Sequence, residues 1–365
     1  LADLGAEVLK IEPPAGEFSR YVPPLRDGFS TVFSQLNCGK KCMALDLKQP
    51  AARDIVLQLV HTYDVVVENF SPGVMQRLGF DYATLARENP ALIMCSISGF
   101  GQTGPSAQRP AYAPIIQAEC GFELVYLQYQ PEVDRPLNMG PPIADTTASL
   151  QAVCAINAAL FYRERTGQGQ YLDIAMFDAL MSTIPKEFQQ AYWPSPPDRF
   201  YGAFDTADGF ILTTPLTQKH FTSLVACMGQ PELLHDPRFA TMTERLVHHG
   251  EFTAVVAAWL RTLTSAEALR ILEEAHIPCA KYRSMGEAAE QPQVAHRGMV
   301  TEIEDPAGPL KALNTPFMFS QTQASVRPWV ARLGEHNREV LRTVLGYTPE
   351  RIAHLEAEGT VVASA

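Results

Sequence analysis

The sequence predicts an α/β protein, with a mostly parallel, doubly wound sheet in a large domain and a smaller α+β domain following it. Three observations carry this prediction. Helical stretches alternate with short β-branched runs over the first hundred residues, and the texture breaks at the proline-rich "YWPSPPDRFYG" of residues 192–202. The chain has 365 residues, 46% hydrophobic and 19% charged, enough for two cores.

Taken in order, "ADLGA" runs into "EVLKIE", "AARDIVLQLVHTY" into "DVVVENF", and "DYATLAREN" into "ALIMCSISGF". A helix followed by a short β-branched run, repeated, is the pattern of strands buried in a parallel sheet. In such sheets ligands sit beyond the carboxyl ends of the strands. Each strand here is followed by a Gly/Pro-rich segment, "EPPAGE", "NFSPG" and "GFGQTGP", so these loops are the expected pocket rim, although each alone also reads as a connecting turn. Residues 147–162 predict a helix buried nearly all round, because only Ser149, Gln151 and Asn157 interrupt small and apolar side chains. "GQGQYLDIAMFDALMS" then gives a turn, a strand and a helix. Beyond the proline-rich linker, "GFILTTP", "QKHFTSLVACMG", "EFTAVVAAWLRTL", "SAEALRILEEAH" and "IPCAKY" make an α+β unit of its own. The expected domains are 1–195, 196–305 and a return of the chain over 306–365, ending in helical "GEHNREVLRTVLGYTPERIAHLEAEG".

Composition narrows the function. A net charge of −11 argues against sequence-independent nucleic-acid binding but leaves room for a local basic pocket. Seven cysteines, an odd number without CxxC pairs, read as free cytosolic thiols and give no metal site; Cys38 and Cys42 are not spaced as a zinc knuckle. No apolar run reaches the roughly 18 residues of a membrane span, and the chain opens at Leu1 without a signal-peptide pattern, as if a segment preceded it. The expected setting is cytoplasmic.

One carboxylate stands out. Asp145 heads the apolar helix, where an Asp is a favoured N-cap that satisfies an orphan N–H of the first turn. The same position keeps a carboxylate ionised and aimed by the helix dipole, which suits a nucleophile.

Seven collinear blocks then carry a resemblance: "LADLGAEVLKIEPP", "NCGKKCMALDLK", "DVVVENFSPGVMQRLGF", "SISGFGQTGP", "IADTTASLQAVCAINAALFYRERTGQGQYLDIAMFDAL", "GMVTEIEDP" and "RLGEHNREVL". Together they resemble the family III CoA-transferases, such as formyl-CoA transferase and related carboxylate CoA-transferases. The resemblance implies a Rossmann-like large domain holding both ends of the chain, a smaller domain, and two ring-shaped subunits interlocked as a homodimer. It implies acyl-CoA and carboxylic acid substrates, coenzyme A as substrate with no tightly bound cofactor, and no membrane or nucleic-acid partner. The family's nucleophile, an Asp at the start of the helix before R-x-x-T-G-x-G-Q, matches Asp145. The matching CoA-binding positions are Leu45 and Lys48 in "ALDLK", Asn69, Phe70 and Ser71 in "ENFSPG", Arg77 in "MQRLG" and Tyr112 in "RPAYAP". Lys48 and Arg77 would serve phosphates and Phe70 the adenine or pantetheine surface.

Other residues enter behind these. Lys40 and Lys41 match the family's basic turn, Arg20 a position near the active site, and Glu119 is placed either at the acyl group or as a hydrogen-bonded core acid. Arg109 and Arg135, in and beside "AYAPIIQAECGFELVYLQYQPEVDRP", would suit a short dicarboxylate. The sequence departs from the pattern at Pro13 and Pro110, where some members carry a basic residue, and has no long glycine-rich loop near 195–205, which points away from formyl-CoA and oxalate. An α-methylacyl-CoA racemase-like isomerase would need a His–Asp pair, and residues 100–144 contain no histidine. A non-catalytic CoA-binding protein would keep the same blocks.

Overall fold

The computed structural model describes residues 1–130, 133–194, 202–215 and 217–362. The chain forms two compact units, one of Leu1–Leu127, Val133–Tyr192 and Pro292–Ala365, the other of Gln128–Glu132 and Trp193–Gln291. Most of the expected linker at 192–202 lies outside the described residues.

In the first unit, β1 (Val8–Glu12) leads through a small antiparallel hairpin, β2 (Leu25–Arg26) and β3 (Phe29–Ser30), to β4 (Lys40–Ala44), which pairs parallel with β1. β5 (Val65–Glu68), β6 (Ile93–Ser98) and β7 (Tyr171–Ala175) form a three-stranded parallel sheet with β6 central. The parallel expectation therefore holds, but the strands pair in two groups rather than in one continuous doubly wound sheet. Helix Pro50–Val60 starts with proline at N1, where the missing N–H costs nothing. It buries Ala52, Ile55 and Leu59 against Met43 and Leu45 and against Val340, Ile352 and Leu355 of the returning chain. Phe80, Leu85, Leu92 and Met94 fill the space beside β6. Each such side chain contributes about 1.5–3 kcal/mol by leaving water.

The long helix, Ile143–Thr166, buries only the stripe Ala144, Ala148, Ala152, Ile156 and Ala159. Leu150 and Phe161 on its other side are 60% and 61% exposed, so this helix is amphipathic in packing although not in composition. It ends at Gly167, and the chain turns so tightly that a Cβ on Gly169 would lie 1.9 Å from the Leu92 carbonyl oxygen. The glycines of "RTGQGQ" thus have a local packing reason.

The second unit contains β8 (Phe204–Thr206), β9 (Gly209–Thr213) and β10 (Cys279–Lys281) in an antiparallel sheet, packed on helices Gln218–Met228, His249–Leu260 and Ser265–Glu274. Its core includes Phe221, Phe239 and Phe252 and a buried Arg245 whose guanidinium lies 4.3 Å above the Phe221 ring. This unit closes at Gln291, before the expected 305. The hairpin β11 (Val300–Asp305) and β12 (Gly308–Leu313) packs Ile303 and Ala312 with Phe33 and Cys38 of the first unit. Among the described residues no helix is long and apolar enough to cross a membrane, and no His/Cys/Asp/Glu group could hold a metal ion.

Candidate active site

The carboxyl end of β6 organises the expected site. Asn69 donates from Nδ2 to the Ile97 carbonyl at 2.7 Å, fixing the turn after β5 against β6. The Phe70 N–H donates to Glu68 Oε2 at 2.7 Å, and Val74 N–H to the Ser71 carbonyl, so "ENFSPG" is a closed turn with the Phe70 ring 44% exposed. Burial pushes the Glu68 carboxyl up, against hydrogen bonds from Ser96 and Phe70. The following helix, Val74–Leu78, carries Arg77, whose guanidinium folds back to within 3.2 Å of where a Cβ on Gly73 would sit. Asn69, Phe70, Ser71 and Arg77 are thereby gathered on one solvent-facing turn.

Lys48 is exposed in the turn before helix Pro50–Val60, its N–H donating to Asp46 Oδ1. Leu45 differs. Its side chain is fully buried in the core and its N–H donates to the Glu12 carbonyl, so only its carbonyl side could meet a ligand. Arg53, which the sequence reading passed over, places its guanidinium against Gly79 at the end of the Arg77 helix. Its signal was its position on the helix after Lys48, indistinguishable in sequence from a solvated surface charge.

The third loop, "GFGQTGP", is tied down by Asp173 on β7, whose carboxylate accepts from Gln102 N–H at 3.0 and 3.2 Å. Gly99 is required here because a Cβ would stand 2.5 Å from the Ala111 Cβ. That contact seats Tyr112, 81% exposed, as N-cap of helix Ala113–Glu119. From that helix the buried Gln117 accepts the Ile143 N–H at 2.9 Å, at the start of the long helix.

Asp145 is the third residue of the long helix, not its N-cap, which is Pro142 with no side-chain hydrogen bond. The simple capping reading is therefore corrected: the carboxylate lies within the first turn of the helix, past the cap, and is exposed. Among the described residues no hydrogen bond or ion pair from another residue reaches it. Surrounding protein pushes its carboxyl above the ordinary aspartate range, its own backbone N–H working the other way. Among the described residues, too, no hydrogen bond or ion pair joins Asp145 or Tyr112 directly to the Asn69–Arg77 turn; both groups hang from β6.

Several secondary readings change. Arg20 is committed to the buried Glu12 in a two-point ion pair at 2.7 and 2.8 Å, over the Phe33 ring. Lys41 pairs with Glu7 and Glu339, and Lys40 donates to Asn37 Oδ1. Glu119 is neither a core acid nor free: it pairs two-point with Arg109 at 2.7 Å, on the surface, so Arg109 is not an open anion site. Arg135 is exposed.

Known proteins fit this arrangement. Residues 1–337 match the family model for CoA-transferase family III. The succinyl-CoA–D-citramalate CoA-transferase of Chloroflexus aurantiacus is 33% identical over 385 residues, spanning 99% of this chain and 92% of that protein. The acetyl-CoA:oxalate CoA-transferase of Acetobacter aceti is 35% identical over 327 residues, 85% of this chain and 83% of that protein. The crystal structure of a CAIB/BAIF family protein from Brucella suis superposes with a TM-score of 0.79 at 31% identity, over 93% and 92% of the two chains. With two parallel sheets in the first unit, an unpaired carboxylate on the long helix, and a match over nearly the whole length, the chain belongs to CoA-transferase family III and is an enzyme that transfers coenzyme A.

Proposed function

We propose that the protein moves coenzyme A from an acyl-CoA to a short dicarboxylic acid, with Asp145 as the nucleophile. The observation that carries this is the unpaired, exposed carboxylate of Asp145 in the first turn of the long helix. The helix dipole favours its ionised form, the form that attacks, against surroundings that push its carboxyl above the ordinary aspartate range. An Asp145 oxygen attacks the thioester carbon, the C–S bond breaks, and CoA leaves as thiolate. The thiolate attacks the aspartyl carbonyl of the resulting anhydride and releases the donor as a free carboxylate. The acceptor carboxylate then attacks the aspartyl thioester, expelling the thiolate again. Thiolate attack on the acceptor's acyl carbon forms the new acyl-CoA and restores Asp145. Each step exchanges one activated acyl bond for another, so water must be kept out.

Lys48 and Arg77 serve the CoA phosphates in this reading, and Asn69, Phe70, Ser71, Tyr112 and the Leu45 backbone line its path. Coenzyme A comes and goes as substrate, without a resident cofactor. The dicarboxylate class is supported by relatives named for D-citramalate and oxalate, and in this reading the exposed Arg135 takes the second carboxylate. The bare apolar face carrying Leu150 and Phe161 supports an interlocked homodimer, and seven free thiols a cytoplasmic setting.

The test is to incubate the protein with succinyl-CoA, quench with hydroxylamine or borohydride, and map the modified peptide, with Asp145→Ala as control. Label on Asp145 that disappears in the variant supports the mechanism. CoA binding without label from any of a panel of acyl-CoAs, oxalyl-CoA included, would move the isomerase and binding-protein readings ahead.

A further inference from the structure

The start of the long helix is capped from outside. Its first four N–H groups need acceptors, and the usual acceptor is the side chain of the N-cap residue. Pro142 has neither a side-chain acceptor nor an N–H of its own. An acid at the third helical position commonly reaches back to the N-cap N–H to complete a capping box. Asp145 holds that position, and with proline at the N-cap there is nothing for it to reach.

The acceptor comes from a different helix. Gln117, 2% exposed, sits among Ile116, Cys120, Ala144, Ala148 and Met176, an apolar cluster in which an unpaired amide would cost about 1–3 kcal/mol. Its Oε1 accepts the Ile143 N–H at 2.9 Å, a hydrogen shared with the Pro141 carbonyl. That bond fixes the first residue of the helix two positions before Asp145. The small neighbours Ala144 and Ala148 let helix Ala113–Glu119 come close enough to make it.

We infer that Gln117 is a positioning residue for thioester attack: by capping the helix from outside, it fixes the Asp145 carboxylate while leaving its oxygens free of hydrogen bonds from any other residue among those described. The inference rests on the reading of Asp145 as nucleophile. Reactions of this kind are sensitive to placement, and a displacement of about 1 Å costs on the order of a hundredfold.

The experiment compares Gln117→Met and Gln117→Glu in the full chain. Methionine fills the same apolar volume without an acceptor, and glutamate keeps an acceptor oxygen at the same reach whether or not it is protonated. A purely structural role predicts that methionine is harmless and glutamate damaging. Positioning predicts the reverse order in chemistry. Hydroxamate formation at Asp145 from succinyl-CoA in a single turnover should fall about ten- to a hundredfold in the methionine variant, and recover to within several-fold in the glutamate variant. CoA affinity and the urea midpoint of the methionine variant should stay near wild type. Wild-type labelling matched by the methionine variant overturns the role of Gln117 alone. Loss of labelling in proportion to a lowered urea midpoint overturns it too. No label in the wild-type protein overturns the Asp145 reading and this role with it.

Discussion

Replacing Glu12 with Gln removes the charge that holds Arg20 in place. Glu12 is 1% exposed and accepts from Arg20 Nε and Nη2 at 2.7 and 2.8 Å, from the Glu17 N–H at 3.1 Å, and from the Cys42 thiol. Breaking a buried pair by removing one partner costs about 3–5 kcal/mol, because the other charge stays behind without compensation. The amide oxygen of Gln still accepts from one donor, so the expectation is the lower end, about 3 kcal/mol. Burial alone would raise the Glu12 carboxyl; the Arg20 hydrogen bonds and charge and the Glu17 N–H outweigh it and hold the carboxyl below its ordinary value. A depressed folded-state pKa means that this stability is present above the unfolded value, about 4.3, and disappears as pH falls through the folded one. Urea unfolding read by Trp329, with Trp193 and Trp259 replaced by Phe, isolates the first unit, since Trp329 is the tryptophan in it. A destabilisation that is large at pH 7 and vanishes in acid is expected. A change below about 0.5 kcal/mol at pH 7 would refute the argument that this pair is desolvated.

Four further outcomes are expected. Arg77→Ala should raise the KM for acyl-CoA roughly ten- to a hundredfold, the 1.5–3 kcal/mol of a charge-assisted hydrogen bond, with kcat little changed; a fall in kcat alone would contradict a phosphate role. The acid limb of kcat/KM should lie above the value of about 3.9 for an ordinary aspartate, because the surrounding protein partly desolvates the Asp145 carboxyl and raises it, and a limb below it would contradict that environment. Asp173→Leu should speed amide hydrogen exchange at Gln102, since the loop loses the carboxylate that accepts its N–H; unchanged exchange means something else secures the loop. Phe80→Ala should cost about 3–5 kcal/mol in urea unfolding, and a loss under about 1 kcal/mol would show that the site collapses around the gap.

What was legible in the sequence follows from what is local. Strand runs such as "DVVVE" and "LIMCSIS" announce themselves by composition, and Asp145 by standing alone ahead of an apolar helix. Pairing across the chain was not legible. Arg20 looks like a free cation until Glu12 and Phe33 are brought beside it, and Arg109 looks like an anion site until Glu119, ten residues on, takes it. Gln117 carries no signal at all in sequence, since a lone Gln on a short helix is ordinarily solvated. The exposed side of the long helix was misjudged for a different reason: apolar composition reports that a face wants a partner, not that its own chain supplies one.

The stitching of β4 to the end of the chain has a consequence for biosynthesis. Cys42 N–H reaches His336 Nδ1, Ala44 N–H donates to Asn337 Oδ1, and Leu45 bridges to Val361. Residues made early thus wait for partners made nearly three hundred residues later, while the 193–291 unit has its own core and all its strands within a single stretch. On the ribosome that unit can close first, and the first unit is left with open strand edges until the last helix emerges. Translation pauses near the 3′ end of the message, or chaperone shortage, would then strand the half-built first unit rather than the finished small one.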